Sequence, residues 1–243
     1  MSGVATAEEQ CRWLHEALEV LPEVRYPFRL ADLPDNGIYF FYENGETWGH
    51  GDNDTQRIVR VGTHRDGNFR SRINDHFLLT RSPQYHHGRA APHDRSIFRK
   101  NIGRALLARA QDPYLAVWEI DYTPKKNRDQ YSHLRDLEKE QLFEDQVTKY
   151  LRESLSFRFI LCEGQDRRMG AEGLEGAMIG TLAQCTRCCP SADWLGNVSP
   201  KDSVRQSGLW LAQHLKNQPI TDGDRIAILE AIRDTEAWIG ERR

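Results

Sequence analysis

The chain has no apolar run approaching the roughly eighteen residues of a membrane span, which excludes an integral helical membrane protein as its reading. Its first ten residues carry neither a basic start nor an apolar stretch, so no secretory signal is expected. There are five cysteines, an odd number, which argues for reduced thiols in a cytoplasm rather than a disulfide framework. Internal repeats and low-complexity tracts are missing. Familiar zinc-ligand spacing is missing too: Cys185 and Cys188 form half a knuckle, while Cys11, Cys162 and His214 stand alone, so structural zinc is not expected. His76, His86, His87 and His93 also match no ligand pattern, and the stretch from Thr80 to Arg95 reads as a polar loop.

What remains is a soluble composition, 39% apolar and 28% charged, in 243 residues that suit one domain. The net charge of −3 argues weakly against a polyanionic partner, but the charge is uneven. From Arg57 to Arg109 twelve Lys and Arg face three acids, with five histidines among them. A local positive surface of that kind suits nucleic acid, although solvated basic helix faces would produce the same count.

Residues 37–76 organise the rest. Gly37-Ile38-Tyr39-Phe40-Phe41-Tyr42 and Ile58-Val59-Arg60-Val61-Gly62 are rich in β-branched and aromatic residues and read as two strands joined by a polar connection, Glu43 to Gln56. A loop, Thr63 to Asn68, leads into a helix from Phe69 to Phe77 in which Arg72 and His76 stand four apart and share a face. Upstream, Thr6 to Glu9 fits a capping box opening a helix that Pro22 ends. Downstream, Ser96 to Ala110 reads as an amphipathic basic helix whose Arg99, Lys100, Arg104 and Arg109 are left for solvent or phosphate.

Tyr114 to Ile120 is a strand candidate, Ser132 to Ser154 a charged scaffold helix, and Phe157 to Cys162 a strong strand. A helix over roughly 170–184 carries Glu175 among Leu174, Met178, Ile179 and Leu182. A carboxylate at the edge of such a stripe either points outward or needs an arginine or a metal ion as partner. Thr221 caps a closing helix.

The ordered set Gly37-Ile38-Tyr39, Arg60-Val61-Gly62, Arg72-x-x-x-His76 and a later helix bearing Glu175 resembles the GIY-YIG nucleases, over residues 35–197. Residues 1–34 and 198–243 are then an N-terminal helix with its linker and a C-terminal helical extension. The resemblance implies an α+β fold: a small three-stranded antiparallel sheet flanked by helices, with large helical insertions. It also implies a DNA endonuclease using one divalent ion, Mg²⁺ or Mn²⁺, as restriction-enzyme and other bacterial members do. Tyr39 would deprotonate the attacking water, Arg72 would contact the scissile phosphate, His76 would assist water activation, and Glu175 would hold the metal. Arg60, Arg65, Arg70, Arg99, Lys100 and Arg104 would contact nucleic acid, and Asn197 is a candidate for the asparagine that follows the glutamate helix in some members.

The departure is Arg60, which stands where the family has a second tyrosine. Either Arg60 adds a phosphate contact and His64 takes over proton handling, or the site is impaired and the fold is a nucleic-acid-binding module. The joint presence of Tyr39, Arg72, His76 and Glu175 favours activity. Double-stranded DNA is the expected substrate, with a homodimer and a partner methyltransferase left open.

Overall fold

The computed structural model describes residues 6–51, 55–80, 85–170 and 172–242; the readings made on Met1 to Ala5 and on residues 81–84 lie outside them. In chain order the main elements are α1 (Ala7–Leu18), β1 (Val24–Arg25), β2 (Ile38–Thr47), β3 (Gln56–Gly62), α2 (Phe69–Phe77) and α3 (Ile97–Arg109). They are followed by α4 (Leu137–Ser154), β4 (Leu155–Ile160), α5 (Leu174–Gln184) and α6 (Asp222–Gly240). Capping boxes open α1 at Thr6 and α6 at Thr221. The fold is α+β, as the resemblance implies.

The sheet runs β1-β4-β2-β3 with every pairing antiparallel. The two-residue strand β1, which pairs with Phe157 and Ser156, adds a short edge to the expected three strands. β2 is central and its residues alternate between two cores. Ile38, Phe40 and Tyr42 face α1 and α5 through Leu14, Leu18, Met178 and Ile179. Tyr39 and Phe41 face α2, α3 and α4 through Ile73, Phe77, Phe98 and Val147. Burial on both faces explains why this strand is an unbroken apolar run rather than an alternating one.

Strand β3 lies at the outer edge of the sheet, where unpaired backbone groups need covering. The segment 208–210 supplies the cover: the Trp210 amide donates to the Val59 carbonyl at 2.8 Å, and Arg57 donates to the Gly208 carbonyl at 2.5 Å. A bulge sits beside it, since Phe41 pairs with Arg60 but Tyr42 pairs with Ile58, leaving Val59 as the extra residue. Glu43 fastens this segment from the sheet side, accepting from Trp210 Nε1 at 2.9 Å and Trp194 Nε1 at 3.1 Å.

Tyr114 to Ile120 is not a strand. Asp112 accepts from the Tyr114 amide at 2.8 Å and starts a helical turn, Leu115–Trp118. Trp118 then stacks on His93 at 3.8 Å and donates to the Lys100 carbonyl, so packing against α3 rather than strand propensity decides the segment.

Candidate active site

The site forms where the ends of β2 and β3 meet α2. Tyr39 is fully buried on β2, opposite Gly62 on β3. A side chain at Gly62 would lie 2.5 Å from the Tyr39 ring and its hydroxyl oxygen, so the glycine is what lets the ring lie flat across β3. The Tyr39 hydroxyl then reaches His76 Nε2 on α2 at 3.2 Å.

His76 is fully buried and, on its other side, its Nδ1 lies 2.7 Å from Ser96 Oγ. Ser96 caps α3 by accepting from the Arg99 amide at 3.2 Å, so its own buried hydroxyl proton needs an acceptor, and Nδ1 provides one. That assignment puts the imidazole proton on Nε2, donating to Tyr39. Burial first, then the nearby Arg72, Arg60 and Arg99, holds the His76 pKa well below its ordinary value, so the ring is neutral near pH 7.

Arg60 extends from β3 over the Phe98 ring, 4.8 Å from its centroid, and donates to the Trp210 carbonyl at 2.6 Å. Burial lowers its pKa, with the opposing influence of Tyr39 and Glu175 and the repulsion of Arg72 acting on the same guanidinium. Guanidinium titrates so far above neutrality that Arg60 stays cationic. Its Nε is buried without a protein partner, among the described residues, which leaves a donor in the site.

Arg72, half-buried on α2, anchors one nitrogen on the Arg95 carbonyl at 2.7 Å. Glu175 sits in the first turn of α5, where the helix dipole favours a carboxylate. Burial raises its pKa, while Arg60, His214, the donating Thr63 amide and Arg72 act the other way. Tyr39, Arg72 and Glu175 thus each lie near enough to Arg60 to act on its charge. Glu175 is one hard oxygen donor and is part-exposed. That donor set suits a divalent ion that keeps most of its waters, as Mg²⁺ does.

The other expected site residues divide. His64 accepts from the Gly37 amide through Nε2 at 3.2 Å, and its Nδ1 lies 2.6 Å from the Arg65 carbonyl. Both nitrogens are therefore engaged in holding the loop against β2. Asn197 donates to the Ser191 and Ala192 carbonyls at 2.8 and 3.1 Å, closing its own turn. Arg65 is exposed, and Arg70 binds Asp35 at 3.0 Å and the Leu33 carbonyl at 2.8 Å.

Of the basic residues of α3, Arg109 is exposed as expected, but Arg99, Lys100 and Arg104 do not face solvent. Arg99 is fully buried and pairs with Glu144 through Nε at 3.0 Å and its terminal nitrogen at 2.5 Å. Lys100 binds Asp94 at 3.2 Å and the Ile120 carbonyl at 3.0 Å. Arg104 forms a two-pronged bond with Glu119 at 2.6 and 2.8 Å. These three residues are internal ties rather than nucleic-acid contacts, because acids from three other segments meet them. Ser96 and Thr63 carry no expectation from the sequence; the N-cap position of Ser96 is the one available signal.

A family model described as a GIY-YIG domain matches residues 17–237. No curated protein and no solved structure matches the chain.

Proposed function

The chain belongs to the GIY-YIG family, a family of nucleases, and on that premise we propose that it is a divalent-metal-dependent endonuclease that hydrolyses DNA. The observation that carries this reading is the convergence of Tyr39, Arg60, Arg72, His76 and Glu175 on one site. The proton order makes Tyr39 the base. His76 donates to the phenol oxygen and Arg60 faces it; as that oxygen takes the proton of the attacking water, the phenol gives up its own proton to solvent. Arg72 stabilises the charge that gathers on the phosphate oxygens as the water oxygen bonds to phosphorus and the leaving oxygen departs.

Glu175 would hold the ion, Mg²⁺ or Mn²⁺, which supplies Lewis acidity and neutralises the leaving oxygen. Arg60 replaces a neutral second tyrosine with a fixed cation, and its charge serves the base from the flank. Arg65 and Arg95 are exposed and, with Arg72, are cations that could meet a phosphate backbone.

A site of this kind cuts one strand per visit, so double-strand cleavage would need a homodimer or two successive events. The resemblance to restriction-enzyme members supports a setting in restriction or phage defence, in a cytoplasm, with a methyltransferase protecting host DNA. The test is conversion of supercoiled plasmid to nicked or linear form. Cleavage is expected with Mg²⁺ or Mn²⁺ and none with EDTA; cutting that persists in EDTA, or cutting of RNA alone, would refute the reading.

A further inference from the structure

On the opposite face of the sheet from Tyr39, three cysteines and a histidine from distant parts of the chain meet. Cys11 comes from α1, His50 from the β2–β3 connection, and Cys185 and Cys188 from the turn that ends α5. Their ligand atoms all lie within 4.8 Å of one another. Cys11 Sγ is 3.5 Å from Cys188 Sγ, and His50 Nε2 is 3.0 Å from Cys185 Sγ. A disulfide would bring two sulfurs to about 2.05 Å, so these are separate thiols. Tetrahedral zinc, with bonds of about 2.3 Å to sulfur and 2.0 Å to nitrogen, spaces its ligands by roughly 3.5 to 3.8 Å, which is the scale of this cluster.

We propose that Cys11, His50, Cys185 and Cys188 form a structural Zn²⁺ site. The second half of the ligand set, which spacing in the sequence hides, is supplied by α1 and the connection after β2. Three thiolates and one imidazole fill all four positions, so the ion has no open place for water or substrate and its role is structural. Soft sulfur ligands select zinc over the hard ion that suits Glu175, so the two metals do not compete for each other's site.

The backbone at the cluster is closely fitted. A side chain at Gly49 would come within 1.9 Å of the Arg187 carbonyl oxygen, so glycine is required for the connection to lie against the cysteine turn. The sulfurs of Cys11, Cys185 and Cys188 belong to residues buried in the core that α1 and α5 share.

Neighbouring candidates are excluded by their bonds. His15 Nε2 accepts from the Ile58 amide at 3.1 Å, and its Nδ1 donates to the Cys11 carbonyl at 2.9 Å, so neither nitrogen is free. Cys189 is exposed and donates to the Thr186 carbonyl at 3.2 Å, and Cys162 lies beside Glu163. The ion would therefore bind the amino-terminal helix, the long connection and the carboxyl end of α5, the helix whose other end presents Glu175.

The test is metal analysis of the full chain purified without chelator, by mass spectrometry of zinc and by cobalt substitution. One zinc per chain is expected, with the cobalt form showing the intense bands of a tetrahedral thiolate site. Cys189→Ser should keep the full zinc content, whereas Cys185→Ser and Cys11→Ser should lose it. Removing zinc from the wild type should lower Tm by about 10 °C or more, restored on adding Zn²⁺. A wild type with no zinc after exposure to Zn²⁺, or with Cys11 or Cys185 oxidised to a disulfide with Cys188, would overturn the proposal. So would full zinc retention in Cys185→Ser.

Discussion

Tyr39→Phe is expected to lower single-turnover cleavage by about 10²- to 10⁴-fold, the range that a positioned acid or base contributes. The substitution keeps the ring that packs across Gly62 and against Phe41 and Phe69, and removes the oxygen that meets His76. Stability should fall by only about 1–3 kcal/mol, the cost of leaving the His76 donor without its acceptor. DNA binding should be unchanged, because the substitution leaves every cation in place. Rates measured with saturating metal, beside a binding titration, check this; a variant that cleaves within a few-fold of wild type would remove Tyr39 from the chemistry.

The second large effect is on folding. Arg99→Ala is expected to destabilise the chain by about 3–5 kcal/mol, because Glu144 would be left as a buried charge without its guanidinium. Arg99 also donates to the His76 carbonyl at 2.7 Å and to Thr148 at 2.8 Å, so it ties α2, α3 and α4 together behind the site. Burial opposes the Glu144 charge, but Arg99 and His93 more than offset it and hold the carboxyl down at about 2. A depressed carboxyl stabilises the fold above its unfolded pKa of about 4.5, and that contribution is lost as the pH falls toward 2. Urea unfolding should therefore show Arg99→Ala weakened at pH 7, and the wild type weakening between pH 5 and about 2. A role in nucleic-acid contact would instead weaken DNA binding and leave the unfolding midpoint where it was.

That contrast shows what the sequence could and could not reveal. β2 was legible because a strand buried on both faces must be apolar throughout, and Arg72 with His76 was legible because four residues return a helix to the same face. The helix that carries Glu175 was legible from its apolar stripe. Arg99, Lys100 and Arg104 of α3 are not legible as internal ties because their partners, Glu144, Asp94 and Glu119, come from three other segments, and periodicity says nothing about what a neighbouring element presents. The engagement of both His64 nitrogens with the backbone around them was not legible either. Cys185 and Cys188 were visible as half a ligand set, but their companions lie 174 and 135 residues from Cys185 in the chain. Chain folding alone brings such groups together.

The most direct measurement of the central claim compares wild type with Glu175→Gln on supercoiled plasmid in Mg²⁺, while following DNA binding and thermal unfolding. The substitution keeps the shape of the side chain and removes the charge that would hold the ion. The account predicts nicking by the wild type, at least a hundredfold less by the variant, and the same DNA affinity and fold for both. Cleavage by Glu175→Gln at the wild-type rate, or a folded wild type that binds DNA and cuts none with either metal, would contradict it.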